Sequence, residues 1–168
     1  MNDTNQKIGI LNALMVSDSY PVASPVAPDV MAELVLKPAP VEWDEIKRSV
    51  YSDMQRLVIN RPDYADMFKV MDGLEYNGLT LYGMTQTDNG ELAWSNIYIR
   101  NIDTRDNEIY VDPNLTDKLL IGEDGMSVFV YSFKDNCFQI RDKASTDYVI
   151  DEYKTFNDLL SALINTVK

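Results

Sequence analysis

The chain of 168 residues contains no histidine. That absence excludes Ser-His-Asp and Cys-His catalysis, an imidazole general base, and every metal site that needs an imidazole ligand. A single cysteine, Cys137, excludes an intramolecular disulfide and cysteine-rich zinc or iron–sulfur centres. It lies in an apolar run and reads as a small buried hydrophobe rather than a nucleophile. Cations are scarce as well: 15 Lys and Arg face 27 Asp and Glu, a formal net charge of −12. Binding to nucleic acid or to anionic lipid needs surplus cations, so neither is an expected partner. The balance favours a basic partner, steered in by opposite charge.

Long hydrophobic runs are missing too. No apolar stretch has the length needed to span a bilayer. The run Ile8 to Val16 approaches the size of a signal-peptide core, yet Asn12 interrupts it and Asp3 stands where positive charge belongs. Ile8, Leu11, Leu14 and Met15 fall near helical spacing, so an amphipathic helix is expected there. Together with the free cysteine, this predicts a soluble protein of a reducing, cytoplasmic compartment.

With 45% hydrophobic and 25% charged residues, the chain has the composition of one globular domain. Its prolines are unevenly spread. Pro21, Pro25, Pro28, Pro38 and Pro40 crowd into the stretch from Ser17 to Pro40. Proline blocks helix interiors and central strands, so this reads as an extended connector with one short helix near Asp29 to Leu36. Residues 1–40 are therefore expected to form an N-terminal helix and a proline-rich connector that wrap a main domain of residues 41–168.

Within that domain, Trp43, Ile46, Val50, Met54, Leu57 and Val58 recur at three- and four-residue spacing. Glu42, Asp44 and Glu45 load the start of this helix against its dipole. A second helix should begin at Pro62, with Tyr64, Met67, Phe68 and Met71 as its apolar face and Gly73 as its cap. After Gly73 the period shortens. Asn77-Gly78 and Asp88-Asn89-Gly90 are turn signals, and Leu79 to Tyr82 reads as a strand. Trp94 to Ile102 fits a strand by residue type and a helix by spacing. Leu119–Ile121, Met126–Phe133 and Phe138–Ile140 are strand candidates separated by polar turns. Thr155 should cap a closing helix with Phe156, Leu159, Leu160, Leu163 and Val167 on one face. Helices, a strand meander and a last helix predict an α+β fold with a mainly antiparallel sheet.

Motifs that carry chemistry are few. Gly73 and Gly78 have phosphate-loop spacing, but Leu79 follows where the loop needs a lysine. Asp112-Pro113-Asn114 opens like a calcium loop, with Asp117 where the sharp-turn glycine belongs. The carboxylate groupings Glu123-Asp124, Asp103 with Asp106 and Glu108, and Asp151-Glu152 offer acid–base pairs for glycoside hydrolysis. In a chain with 27 acidic residues such pairs arise by chance, and solvated turns are the favoured reading.

The segment Pro62-Asp63-Tyr64, then Phe68, then Met71 through Gly83 resembles the helix-to-strand passage of the SUKH superfamily, in its YrhA-like branch. Leu119 to Gly125 leading into Val128 to Tyr131, and the closing Phe156-x-x-Leu159-Leu160, fit the same pattern. The resemblance runs from about Trp43 to the C-terminus and leaves the proline-rich stretch unmatched. It implies an α+β domain without catalytic residues or cofactors. It also implies an immunity protein that binds and neutralises a cognate bacterial toxin, a basic nuclease by the charge argument. The alternatives are a regulatory or interaction protein of the same fold without a toxin and, more distantly, a carboxylate-based hydrolase. The expected partner-binding residues are Tyr76, Trp94, Tyr98, Asp103, Glu123 and Asp124, chosen at turns and sheet ends; Trp94 and Tyr98 have a competing reading as core.

Overall fold

Asn77 and Gly78 carry left-handed φ angles of 49° and 83°. Two consecutive residues of that kind make the turn whose twist matches a β-hairpin, and they join Tyr76 to its cross-strand partner Leu79. In the computed structural model, which describes residues 3–85, 96–106 and 111–167, this hairpin opens a six-stranded sheet. The elements are α1 (Asp3–Ser17), α2 (Pro28–Leu36), α3 (Glu45–Asn60), α4 (Pro62–Phe68), β1 (Leu74–Tyr76), β2 (Leu79–Leu81), α5 (Ile97–Arg105), β3 (Lys118–Glu123), β4 (Ser127–Ser132), β5 (Cys137–Asp142), β6 (Val149–Tyr153) and α6 (Phe156–Val167). The strands lie in chain order, each antiparallel to the next. The fold is α+β.

Strand alternation divides the sheet between two environments. Tyr131 and Phe138 form one cross-strand pair, and Val130 and Gln139 the next. The first pair faces the helices, where Tyr64, Phe68, Phe138 and Phe156 meet edge-on or tilted with centroids 5.1 to 6.4 Å apart. The second lies on the opposite face, where Arg141 donates to the Gln139 side-chain oxygen and to the Thr146 carbonyl. All six residues of β4 are buried, as a central strand covered on both sides must be.

Helix α6 starts as its sequence dictates. The Thr155 hydroxyl accepts from the Asp158 amide, and Asp63, at the head of α4, accepts from the Asn157 amide. Leu159, Leu160 and Leu163 are buried on this helix. The first forty residues share the same core, since Ile8, Leu11 and Met15 of α1 are fully buried and α1 packs on α4 and α6. The connector is tied down by Val26 donating to the Phe68 carbonyl and Asp72 donating to the Ser24 carbonyl.

Three expectations change. Helix α4 ends at Phe68, so Gly73 does not cap it. Gly73 instead sits at φ 79° where a Cβ would meet the Gly83 amide nitrogen at 2.5 Å, a backbone approach open only to glycine. The ambiguous segment resolves into helix α5 over residues 97–105, with the Asn96 side chain accepting from the Tyr98 amide at its start. Strands β1 and β6, which carry no strand signal of their own, join the sheet at its two edges.

Candidate functional site

Helix α2 ends in Lys37 without a glycine to turn the chain and satisfy its last carbonyls. Side chains of α3 do that work from outside. Gln55 Nε2 donates to the Leu34 carbonyl at 2.9 Å and, at 3.3 and 3.2 Å, approaches those of Val35 and Lys37. The Tyr51 hydroxyl lies 3.0 Å from both the Glu33 and the Lys37 carbonyls. This bracing holds α2 and the Lys37–Pro40 connector away from α5 and leaves a cavity of about 370 Å³ between them.

Its floor is aromatic. Trp43 meets Tyr51 at 5.7 Å and Tyr98 at 5.9 Å between ring centroids, perpendicular to both. Val30, Leu34 and Met84 complete the apolar walls. The Lys47 ammonium sits 3.9 Å over the Trp43 ring, a cation–π contact that stiffens the indole. Burial raises the pKa of the Tyr51 and Tyr98 hydroxyls, and the charge of Glu33 pushes Tyr51 the same way. Both phenols are therefore neutral at physiological pH. The two phenols thus supply contact area, and Glu33 and Lys37 are the charged residues that line the cavity.

The chain segment beside the cavity has a different character. Residues 28–47 hold Asp29, Glu33, Glu42, Asp44 and Glu45 against Lys37 and Lys47, and all five carboxylate residues are exposed. Glu33 lines the cavity and pairs with Lys37 at 3.4 Å. Leu36 and Val41 stand 79% and 84% exposed in the same stretch.

The residues expected to bind a partner are placed unevenly. Tyr76 is only 3% exposed, its hydroxyl donating to the Asp18 carboxylate and its ring packed edge-on with Tyr20. Tyr98 is 4% exposed and belongs to the cavity floor. Neither presents its ring to solvent as an exposed anchor does, because each completes an aromatic cluster that excludes water. Trp94 lies outside the described residues. Asp103 is exposed on α5. Glu123 accepts from Arg100 and from Lys143, both at 3.1 Å. Asp124 accepts from the Met126 and Ser127 amides and shapes the β3–β4 turn. Glu123 is thus neutralised within the fold, and Asp124 is committed to its own backbone.

A second hollow of about 470 Å³ is lined in part by Arg61, Asp135, Cys137 and Glu152. Asp135 and Glu152 both accept from the single Gln139 amide group. Burial raises the Cys137 thiol pKa, and the neighbouring Glu152 and Asp135 charges add to it, so the sulfur is held protonated. Among the described residues, no group of three metal-ligating side chains is arranged to hold an ion. No helix there is long and apolar enough to cross a membrane.

The molecule is thus an α+β protein with a six-stranded antiparallel meander, carrying an aromatic-floored cavity beside an acidic segment. In sequence it is similar to the uncharacterized protein YrhA of Escherichia coli (strain K12), with 26% identity over 131 residues, 78% of this chain and 93% of that protein. No family model matches the chain, and no solved structure matches it.

Proposed function

We propose that the protein is a YrhA-like member of the SUKH superfamily that works in the cytoplasm as an immunity protein. It binds a cognate basic protein toxin, such as a nuclease, one to one and neutralises it without chemistry of its own. The observation that carries this reading is an apolar cavity bordered by the acidic, exposed stretch of residues 28–47. A solvated carboxylate segment supplies steering and an aromatic floor supplies anchoring area, the two components of a tight protein interface. The net charge of −12 points to a basic partner. The similarity to YrhA and the motifs from Pro62 to Gly83 support the family.

The test is co-expression with the product of an adjoining toxin gene, followed by calorimetry of the purified pair. Rescue of growth with one-to-one binding that weakens as salt rises supports the proposal. A chain that neither protects nor binds that product is instead a regulatory or interaction protein of the same fold.

A further inference from the structure

The Lys37–Pro40 connector belongs to the part of the chain that the family pattern leaves unmatched, and it borders a cavity whose floor lies in the matched part. We infer that this cavity is the anchor pocket for a basic protein segment presenting one bulky apolar side chain, phenylalanine or leucine; the inference rests on the toxin-binding reading and locates its contact.

Three observations converge on that ligand. The cavity, at about 370 Å³, has room for a large side chain with part of its backbone. Its interior groups are satisfied or neutral: Tyr51 is spent on the α2 carbonyls, and the Trp43, Tyr51 and Tyr98 rings pack on one another. A charged group pressed onto that floor would leave water for ring faces, which is costly. An apolar group entering it gains contact area at no such cost. The acidic segment then selects the flanks. Five exposed carboxylates against Lys37 and Lys47 leave an acidic excess over residues 28–47 that attracts basic neighbours and repels acidic ones. Leu36 and Val41, adjacent in sequence to the lining residues Lys37 and Pro40, are exposed and available to a bound segment.

The experiment uses the full chain with isotope-labelled methyl groups and three acetylated, amidated pentapeptides: Lys-Lys-Phe-Lys-Lys, Lys-Lys-Ala-Lys-Lys and Glu-Glu-Phe-Glu-Glu. The basic phenylalanine peptide is expected to shift the Val30, Leu34 and Met84 methyl resonances saturably. The alanine peptide is expected to bind at least about tenfold more weakly, as loss of an anchor side chain does. The acidic peptide should leave the resonances in place. Val30→Trp, which fills the cavity from its half-buried wall, should abolish the shifts. The exposed double variant Glu42→Lys with Glu45→Lys, at residues that do not line the cavity, should weaken the basic peptide. Equal affinity of the phenylalanine and alanine peptides, binding of the acidic peptide as tight as the basic one, or no saturable shift at these methyls overturns the inference. The two readings separate cleanly: a toxin bound equally well by Val30→Trp overturns the pocket and leaves immunity standing, whereas peptide binding without toxin binding does the reverse.

Discussion

The side chain of Asn101 pairs with both backbone groups of Leu120: its Nδ2 donates to the Leu120 carbonyl and its Oδ1 accepts from the Leu120 amide, each at 2.8 Å. Strand β2 pairs with β3 only at Gly122 and Glu123, so Leu120 has no strand partner on that side. A carboxamide has the donor and acceptor of a peptide group, and here it extends the sheet by one unit from a buried position on α5. Nδ2 also donates to the Ile97 carbonyl, which fixes the amide's orientation. Asn101→Ala strands two buried backbone groups, and each costs about 1–3 kcal/mol when unsatisfied. A loss of about 2–5 kcal/mol by denaturant titration is expected; a loss below about 0.5 kcal/mol contradicts this pairing.

Tyr64 presents the opposite case. Its hydroxyl is buried among Phe68, Phe138 and Phe156 and has no hydrogen-bond partner among the described residues. Burying an unpaired hydroxyl costs free energy that the ring's packing offsets. Tyr64→Phe keeps the packing and removes the cost, so the denaturation midpoint should stay level or rise. A clear fall in the midpoint contradicts the orphaned hydroxyl.

The same burial sets a response to alkali. The pKa values of Tyr64, Tyr82 and Tyr98 are raised from 10.0, in each case first of all by desolvation. An unfolded tyrosine ionises near pH 10. Above that pH the folded state binds more protons than the unfolded one, so stability falls as pH rises. It is fully present below about pH 10 and drains away through the alkaline range up to the raised folded values. Tyrosinate absorbance on a pH titration should appear with unfolding rather than before it for these three rings. Replacing them with phenylalanine should flatten the decline.

Leu160 is fully buried on α6, against the core that α1 and the sheet share. Leu160→Ala should cost about 2–5 kcal/mol, the range of large-to-small core substitutions. Denaturant titration with an unchanged slope is the check.

What the sequence discloses depends on how local the cause is. Leu119 to Ile140 announce strands because apolar runs alternate with Glu123-Asp124-Gly125 and Lys134-Asp135-Asn136, and the turn chemistry lies within a few residues. Strand β6 does not announce itself: as an edge strand it leaves Ile150 half-exposed and Asp151 and Glu152 in water, so no apolar stripe marks it. Tyr98 and Ile99 have strand propensity, yet Asn96 and Asn101 hold α5 through contacts to Tyr98 and Leu120. Tertiary context overrides propensity there. The candidate site was less legible still. Glu123 looked like a free acid because Arg100 and Lys143, which neutralise it, are distant in the chain. The cavity floor draws Leu34, Trp43, Tyr51, Met84 and Tyr98 from four separate stretches, and no spacing rule joins them.

The strict chain order of the sheet sets a timetable for folding. Strands β3 to β6 follow one another through short turns, so each pairing closes a small loop and forms at little entropic cost. The pairing of β2 with β3 must instead draw Leu81 and Gly122 together across α5 and the residues on either side of it. Non-local contacts of that kind carry a larger closure cost. The β3–β6 strands are therefore expected to pair before the hairpin docks, and amide protons of β4 and β5 should outlast those of β1 and β2 in native-state hydrogen exchange.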